Sequence, residues 1–364
     1  MNAADPPPMF PSLDSIESVL WPGLALAVFV VTAVLVDVMV LLATRWHILD
    51  LPNRRSAHAL PTARAGGLPL AMVTALVSLA VCIRWPGMTT KVLAGCVVPS
   101  LVIAVVGFVD DIRPLGALFR LFIQVAVAAL VVAVLGPLEA LELPGIVRLE
   151  LGPAAWPLSL LWVVGMMNAF NFMDGSDGMA ATGAVVVSAF VVCLGFTGGS
   201  PILVLLASFV SAASAGFLVF NWPPARIFMG DVGSAFLGTF LAALALLPGE
   251  PVKAVIFVPL AMAAWPYIYD PLLSVLRRLA GGHNPLVPHR EFLFHRLVRA
   301  GWSHLSVAML YATLSLSGGL AGRLLLAAGL PPASRLLLAA TIVLMAIALT
   351  GFAESQFRRR QSRA

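Results

Sequence analysis

The amino-acid sequence predicts an all-α polytopic membrane protein with about eleven transmembrane helices, or ten if one short run does not span. The composition is the first reason, because 60% of the 364 residues are hydrophobic, 11% are charged and the mean hydropathy is +0.98. The second reason is that apolar runs of about 20 residues recur, each long enough to cross a hydrocarbon core about 30 Å thick. The runs do not alternate between apolar and polar residues, as the strands of a transmembrane β-barrel would.

The apolar runs define the predicted spans in chain order. They cover residues 20–43, 67–84, 92–109, 119–136, 155–170, 179–197, 202–220, 235–248, 253–275, 304–322 and 335–352. The eighth run is the short one. The loop at 137–154 alternates enough to predict a small β-hairpin. The chain is therefore divided into a tail at 1–19, one transmembrane domain at 20–352 and a basic tail at 353–364.

The distribution of Lys and Arg predicts the orientation of the bundle. The connections after odd-numbered spans, together with the C-terminal tail, carry sixteen of the 22 basic residues, and the other connections carry six. Because cytoplasmic loops carry the excess of Lys and Arg, we expect the N-terminus outside and the C-terminus in the cytoplasm. The net charge of +5 reflects this topology, so no nucleic-acid partner is predicted. The FRRRQSRA tail is suited to contact anionic membrane lipids.

Unusual polar segments occur in the five connections predicted to be cytoplasmic. They read LDLPNRRSAHALPTARAGG (49–67), VDDIRPLGALFR (109–120), NAFNFMDGSDGMA (168–180), NWPPARIFMGDVGSAFLG (221–238) and RRLAGGHNPLVPHREFLFHRLVRAGW (277–302). Five candidate catalytic carboxylates fall at span ends here, at Asp110, Asp111, Asp174, Asp177 and Asp231. Converging carboxylates raise one another's pKa, and a divalent cation offsets that cost. Hard oxygen ligands suit Mg²⁺ or Mn²⁺.

The glycines and basic residues of these loops add to the same interpretation. Glycines in DGSDG and MGDVGS allow the backbone to turn sharply and to approach a bound group closely. Backbone N–H groups at a helix start favour phosphate, and neighbouring Arg and His residues suit a pyrophosphate. Together these features predict a phosphoryl-transfer site at the membrane surface.

Other readings of the same residues exist. A single Asp at a span end is more often a solvated helix cap, and DGSDG alone is a common turn composition. The competing function is an ion-coupled transporter, which would carry acids at mid-bilayer and often inverted repeats. Asp37 and Asp270 fall within predicted spans; we expect Asp37 to be paired inside the bundle, and Asp270 either supports the site or caps a helix. No repeat is visible, and a purely structural bundle leaves the one-sided loops unexplained.

The five segments resemble the motifs of the polyprenyl-phosphate N-acetylhexosamine-1-phosphate transferase superfamily, glycosyltransferase family 4. NAFNFMDGSDGMA is similar to its N-x-x-N-F-x-D-G-x-D-G-L segment, FMGDVGS to its F-M-G-D-x-G-S motif and VDDIRPL to its paired-Asp segment. LPNRRSAHALPTARAGG is similar to D-x-P-N-x-R-S-x-H-x-x-P-T-x-R-G-G, and PHREFLFHRL to part of its basic histidine loop. The motifs occur in the family's order over residues 20–350.

The resemblance implies a helical membrane bundle and a specific reaction. Such enzymes transfer a sugar 1-phosphate from a UDP-N-acetylhexosamine to polyprenyl (undecaprenyl) phosphate and release UMP. The product initiates O-antigen, lipopolysaccharide or other cell-wall polysaccharide synthesis. The implied cofactor is Mg²⁺, with Mn²⁺ as a substitute. The implied location is the bacterial inner membrane, with the active site on the cytoplasmic face, and a homodimer is compatible with the family.

The resemblance also assigns roles to positions. Asp231 and Asp177 match metal ligands, Asp110 and Asp111 the acid pair at the lipid-phosphate end, and Asp174 a base or organising acid. Phe228 matches an aromatic residue that stacks on uracil. The other implied substrate-binding residues are Asn171, Gly175, Ser176, Asn221, His289, Arg290, His295, Arg296, His58, Thr62 and Arg64.

The sequence departs from the family pattern at two points. Phe292 replaces a histidine of the histidine loop, so that role is absent or is supplied by His283 or His304. The triple-His signature and the Lys after the acid pair, typical of phospho-MurNAc-pentapeptide translocases, are also missing, and Arg113 is the nearest cation. These departures favour the branch that initiates O-antigen, teichoic-acid or capsule synthesis, with GlcNAc or an N-acetylated 6-deoxyhexose as the sugar.

Overall fold

Twelve α-helices account for most of the chain in the computed structural model, which describes residues 20–46, 49–50, 61–84, 86–284, 287 and 291–362. Helices dominate because backbone polar groups within a bilayer must be hydrogen-bonded inside their own segment. The helices are α1 (Leu20–Arg45), α2 (Gly67–Arg84), α3 (Val98–Ile112), α4 (Ala117–Leu135), α5 (Ala155–Met173), α6 (Met179–Thr197), α7 (Pro201–Asn221), α8 (Gly230–Leu246), α9 (Val252–Ala280), α10 (Leu293–Arg299), α11 (His304–Leu325) and α12 (Pro332–Gln361).

The predicted fold class is confirmed. Within the described ranges, nine helices are long and apolar enough to cross a membrane, and two shorter apolar helices cover Gly67–Ile83 and Gly230–Leu246. Each of the eleven predicted spans coincides with one of these helices. The remaining helix, α10, is short and lies in the last basic connection.

Four short strands form two antiparallel pairs. β1 (Leu49–Asp50) pairs with β2 (Thr62–Ala63) across the first polar connection. β3 (Ala140–Leu143) pairs with β4 (Val147–Glu150), with Ala140 opposite Glu150. This second pair confirms the hairpin predicted in the 137–154 loop.

The α8 helix forms the centre of the bundle. Its residues from Val232 to Leu246 are all buried, and it packs against α2, α3 and α5. A helix that is apolar on every side is stable only when other helices surround it. The outer helices α1, α4 and α12 instead expose Leu, Val and Phe side chains over much of their length.

Three helix boundaries differ from the sequence prediction. The α8 helix begins at Gly230, five residues before the predicted span, so that Asp231 lies in its first turn. A π-helical segment, Lys91–Val97, precedes α3 and is continuous with it. The α12 helix continues to Gln361 without a break at the predicted domain boundary of 353, because the residues after that boundary, AESQFRRRQ, are mostly good helix formers.

The chain order places the five polar connections at the same end of the bundle. The α1, α3, α5, α7 and α9 helices end there, and α2, α4, α6, α8 and α11 begin there. We call this the site end. The β3–β4 hairpin lies at the opposite end, which we call the hairpin end.

Candidate active site

A guanidinium group lies between two of the predicted catalytic carboxylates. Nη1 of Arg120, near the start of α4, is 2.6 Å from Oδ2 of Asp110 and 3.6 Å from Oδ2 of Asp231. Asp110 also accepts a hydrogen bond from the backbone N–H of Leu115 in the loop between α3 and α4. These contacts join the end of α3, the start of α4 and the start of α8.

Asp231 is also held by α5 and approached closely by α3. Nδ2 of Asn171 donates to Oδ1 of Asp231 over 2.8 Å and lies 3.2 Å from Oγ of Ser234. A carboxylate in the first turn of a helix interacts favourably with the helix dipole. A Cβ atom on Gly107 would lie 2.5 Å from the backbone carbonyl oxygen of Asp231, so the crossing of α3 and α8 requires glycine.

Asp111 faces the same helix start from α3. Its Oδ1 is 3.9 Å from Nη1 of Arg64, and Nε of Arg64 is 3.8 Å from Oδ2 of Asp50. Oδ2 of Asp111 is buried, and the backbone N–H groups of Asp231 and Val232 at the start of α8 lie close enough to the carboxylate to stabilise its charged form. A Cβ atom on Gly230 would lie 2.6 Å from this oxygen. The carboxylate of Asp111 therefore faces the N-terminus of α8, beside Asp231.

Asp174 follows α5 and is surrounded by other carboxylates. Removal from water raises the pKa of Asp174 well above its ordinary value, and the charges of Asp231 and Asp111 raise it further. The backbone N–H of Gly230 and the charge of Arg64 act in the opposite direction. Four of the five predicted carboxylates, those of Asp110, Asp111, Asp174 and Asp231, therefore lie around the first turn of α8.

The two predicted metal ligands have different partners. Asp231 is bound by side chains of α4 and α5, whereas Asp177 is bound by the 222–229 segment and by α11. Asp177 follows Asp174 by three residues, so their Cα atoms are at most about 11 Å apart. Among the described side chains, no group of three or more His, Cys, Asp or Glu residues is already arranged to hold a metal ion.

The DGSDG loop, residues 174–178, is fixed to the 222–229 segment. Oδ2 of Asp177 accepts from the backbone N–H of Ala225 over 3.1 Å, and Oδ1 of Asn221 accepts from the N–H of Gly178 over 3.0 Å. Nδ2 of Asn221 donates to the carbonyl oxygen of Ile227 over 2.9 Å. Asn221 is 2% exposed. Its side chain therefore braces the loop through backbone partners, and the nucleotide contact implied by the resemblance stays a prediction.

His304, at the start of α11, contacts the middle of the DGSDG loop. Its Nδ1 is 2.9 Å from Oγ of Ser176, 3.3 Å from the backbone nitrogen of Asp177 and 3.9 Å from Oδ1 of the same residue. Of the two histidines considered as substitutes for the one missing at Phe292, His304 is therefore at the site. His283 is exposed just beyond the end of α9.

The first polar connection contacts the fourth through backbone hydrogen bonds. Phe228 donates its N–H to the carbonyl oxygen of Ala63 over 2.8 Å, and its own carbonyl oxygen accepts from Gly66 over 3.0 Å. The Phe228 side chain is half-buried. Thr62, in β2, is buried, and it lies two residues before Arg64.

The short helix α10 lies against the DGSDG loop. A Cβ atom on Gly175 would lie 3.3 Å from Cζ of Phe294 and 3.4 Å from Nε2 of His295. Asp270 of α9 fixes this helix, because its carboxylate accepts from the backbone N–H groups of Leu293, at 2.6 Å, and Phe294, at 3.1 Å. Asp270 therefore both caps α10 and supports the site, which were the two roles left open by the sequence.

Arg296 has partners that differ from the predicted substrate contact. Its Nη1 is 2.7 Å from both carboxylate oxygens of Glu354 on α12, and Arg277 of α9 donates to the same carboxylate over 2.8 Å. The Arg296 guanidinium also lies over the ring of Phe357. Arg296 therefore attaches α10 to α12. The remaining predicted residues His58, His289 and Arg290 lie outside the described residues.

Three residues at the site end were not predicted as site residues. They are Arg120, Glu354 and His304, of which only His304 was considered, as a substitute for the missing loop histidine. The sequence signal for Arg120 is its place in the same polar connection as the Asp110–Asp111 pair, a few residues into α4. No feature of the sequence marks Glu354 as a site residue. Its partners, Arg296 and Arg277, lie on the separate helices α10 and α9.

An apolar groove of about 410 Å³ lies between α5 and α9. It begins beside the β3–β4 hairpin, at Leu141 and Leu151, and extends to Phe172 and Leu272 towards the site end. Its lining is largely apolar and includes the amide side chain of Asn168. The groove therefore reaches the last turn of α5. The same turn carries Asn171, whose side chain donates to Asp231.

Comparison with known proteins finds one matching family model. The model for glycosyl transferase family 4 matches residues 93–249. This range begins before the Asp110–Asp111 pair and includes the DGSDG loop and the first turn of α8.

Several curated proteins are similar to the chain over most of its length. A probable undecaprenyl-phosphate N-acetylglucosaminyl 1-phosphate transferase of Bacillus subtilis strain 168 is 32% identical over 268 residues, covering 72% of this chain and 73% of the relative. A decaprenyl-phosphate N-acetylglucosaminephosphotransferase of Mycolicibacterium smegmatis is 29% identical over 300 residues, covering 74% and 73%. A phospho-N-acetylmuramoyl-pentapeptide-transferase of Synechococcus is 36% identical over 227 residues, covering 57% and 64%.

Proposed function

The chain belongs to glycosyl transferase family 4, and on this basis we propose that it transfers N-acetylglucosamine 1-phosphate from UDP-GlcNAc to a polyprenyl phosphate and releases UMP. Family membership confirms the resemblance seen in the five motifs. The choice of GlcNAc is supported by the names of the relatives from Bacillus subtilis and Mycolicibacterium smegmatis. The reaction is the phosphoryl transfer that the sequence predicted for the site.

The observation that carries the proposal is the set of contacts around Asp231. Arg120 of α4 and Asn171 of α5 both reach its carboxylate, and the carboxylates of Asp111 and Asp174 lie beside the same helix start. Acidic and basic side chains from separate helices thus meet at one bundle end. A transporter would instead need such groups at mid-bilayer.

A divalent cation fits this set of residues. The carboxylates of Asp111, Asp174 and Asp231 lie beside one another at the start of α8, and carboxylate oxygens are ligands that Mg²⁺ and Mn²⁺ prefer. Asp231 and Asp177 are the residues that we propose to hold the ion, with Asp111 beside them. When bound, the cation would polarise the phosphoryl oxygens and reduce the repulsion between substrate and carboxylates.

The chain's own residues suit an in-line displacement. An oxygen of the lipid phosphate attacks the sugar-bearing phosphorus, the bond between this phosphorus and the bridging oxygen breaks, and UMP leaves. Arg64 and Arg120 supply positive charge at the carboxylate cluster. A phosphate monoester has a second pKa of about 6, so a fraction of it still carries a proton at neutral pH. Asp111 or Asp174, both in the carboxylate cluster, is the residue to which we assign acceptance of that proton or alignment of the lipid phosphate.

The apolar groove between α5 and α9 is suited to the polyprenyl chain. It is lined by aliphatic and aromatic side chains and reaches the last turn of α5. A cavity of about 150 Å³ holds one benzene molecule, so a groove of about 410 Å³ holds the first few isoprene units and not a long chain. The lipid phosphate would then lie near Asp110 and Asp111, as the family resemblance implies.

The cellular setting is also part of the proposal. The excess of Lys and Arg at the site end supports an active site on the cytoplasmic face of the inner membrane. The product would be a polyprenyl-pyrophosphoryl sugar that initiates O-antigen or another cell-envelope polysaccharide. A homodimer is the oligomeric state that we expect from the family.

Release of UMP by the purified protein tests the proposal. In detergent with Mg²⁺ and polyprenyl phosphate, we expect radiolabelled UDP-GlcNAc to yield UMP and a lipid-linked sugar. Omission of the lipid phosphate should abolish the release. Uptake of UDP-GlcNAc into sealed vesicles without UMP release would instead indicate a transporter and would refute the proposal.

A second candidate is supported by the similarity to the pentapeptide transferase of Synechococcus. Its substrate would be UDP-MurNAc-pentapeptide. The replacement of a loop histidine by Phe292 argues against it, because this ring packs between Phe172 and Phe294 and offers no polar group. UMP release from UDP-MurNAc-pentapeptide but not from UDP-GlcNAc, in the same assay, would favour this candidate.

A further inference from the structure

His304 contacts the site through one ring nitrogen. Its Nδ1 lies 2.9 Å from Oγ of Ser176 and 3.3 Å from the backbone nitrogen of Asp177. The contact joins the start of α11 to the DGSDG loop, more than 120 residues earlier in the chain. The histidine side chain is 20% exposed and that of Asp177 is 16% exposed, so both are largely shielded from water.

The donors at this contact indicate the role of Nδ1 in the imidazole ring. The backbone N–H of Asp177 can only donate, so the nitrogen that receives it must carry a lone pair. The Ser176 hydroxyl then donates to the same nitrogen. The Nδ1 atom is therefore the acceptor of this contact, and Nε2 takes no part in it.

Asp177 is consequently held from two sides. His304 accepts its backbone N–H, while its carboxylate Oδ2 accepts the N–H of Ala225 over 3.1 Å. One contact fixes the main chain and the other fixes the direction of the side chain. Loss of the histidine acceptor would leave the N–H of Asp177 without that partner and would free the middle of the loop to move.

We propose that His304 is a positioning residue of the transfer site, and that its Nδ1 sets the position of the Asp177 carboxylate. The inference rests on the proposed function, because it assigns Asp177 to that site. The residue acts through Ser176 and Asp177, and its own role requires an acceptor at the Nδ1 position. The ring itself and Nε2 are dispensable for this role.

Two amide substitutions separate the ring nitrogens. In His304→Asn, the side-chain Oδ1 occupies nearly the same place as Nδ1 and can accept both hydrogen bonds. In His304→Gln, the amide group extends to the place of Nε2 and leaves the Nδ1 position without an acceptor. His304→Ala removes both groups, and His283→Gln is the matched control, because His283 is exposed beyond α9.

The test measures kcat and KM for UMP release from UDP-GlcNAc with the purified variants. A displacement of about 1 Å costs about 10²-fold in rate, so we expect His304→Gln and His304→Ala to lose at least about tenfold in kcat. His304→Asn should stay within about threefold of the unmodified protein, since its acceptor is retained. The KM for UDP-GlcNAc should change less than kcat in every variant, and His283→Gln should have no effect.

The alternative outcomes are distinct. Full activity of His304→Gln, or a loss in His304→Asn as large as in His304→Gln, would overturn the positioning role. If His304→Ala does not yield folded protein, the comparison of His304→Asn with His304→Gln still tests the role of the Nδ1 acceptor. Both variants keep a polar amide side chain, so both are expected to fold. Absence of UMP release by the unmodified protein would refute the proposed function itself, whereas an active unmodified protein with an active His304→Gln would refute only the role of His304.

Discussion

Nη1 of Arg120 lies 2.6 Å from the carboxylate of Asp110. The same nitrogen lies 3.6 Å from Asp231, so a single cation links two acidic residues that are 121 positions apart in the sequence. It thereby holds the end of α3 and the start of α8 at a fixed separation. The side chain of Arg120 therefore contributes to the position and the charge balance of both carboxylates, beside the contacts from Leu115 and Asn171.

Replacement of Arg120 should therefore impair the reaction. A hydrogen bond to a charged group contributes about 1.5–3 kcal/mol, so Arg120→Ala should lower kcat for UMP release by at least about tenfold. The matched control is Arg148→Ala. Arg148 also bridges two carboxylates, Glu142 and Glu150, but it lies exposed at the hairpin end. Equal activity of the two variants would contradict the role given to Arg120.

Asn221 should contribute more to stability than to chemistry. Asn221→Ala leaves the N–H of Gly178 and the carbonyl oxygen of Ile227 without their partner, at a cost of about 1–3 kcal/mol for each buried group. We expect a lower thermal unfolding temperature of the detergent-solubilised protein and a higher KM for UDP-GlcNAc. An unchanged unfolding temperature would show that the DGSDG loop does not depend on this brace.

The crossing of α3 and α8 should not tolerate a methyl group. Gly107→Ala would place a Cβ atom 2.5 Å from the carbonyl oxygen of Asp231, so one helix must shift and the carboxylate moves with it. We expect loss of both activity and thermal stability. In Gly351→Ala the added Cβ meets nothing within 4 Å, and this helical substitution should be neutral or slightly stabilising. Similar effects of the two variants would contradict the close packing.

The ion pairs of Glu354 should hold α10 in place. Glu354→Gln weakens the contacts to Arg296 and Arg277, and the backbone amides of residues 293–299 should then exchange with solvent more rapidly. The measurement is hydrogen exchange followed by mass spectrometry. Glu142→Gln, at the hairpin end, is the control. Unchanged exchange in α10 would show that Asp270 alone fixes this helix.

Much of the fold follows from the sequence alone. The eleven spans are long apolar runs, and a bilayer-spanning run of that composition forms a helix whatever its neighbours are. The hairpin at β3–β4 follows from alternation and turn residues. The helix ends are less predictable, because α8 begins at Gly230, within a motif that local composition assigns to a loop.

The site is predictable only in part, for a physical reason. Carboxylates at span ends are visible in the sequence because a charge is rare in an apolar chain. The partners of Asn221, Arg296 and His304 are set by contacts between distant segments, and a single sequence does not contain them. As a result, the sequence does not show that Asn221 braces a loop and that Arg296 braces a helix, and the substrate contacts of both residues stay predictions.

The most direct test of the account measures UMP release by Asp231→Asn beside Asp37→Asn at saturating Mg²⁺. Asp231 lies at the centre of the contacts at the site end, whereas Asp37 is 48% exposed and is paired only with Arg226, at 3.7 Å, among the described residues. We predict a loss of at least about 10²-fold for Asp231→Asn, since a preorganised charge at the reacting phosphate is removed, and near-unchanged turnover for Asp37→Asn. Near-normal turnover by folded Asp231→Asn would contradict the claim that these segments form one phosphoryl-transfer site.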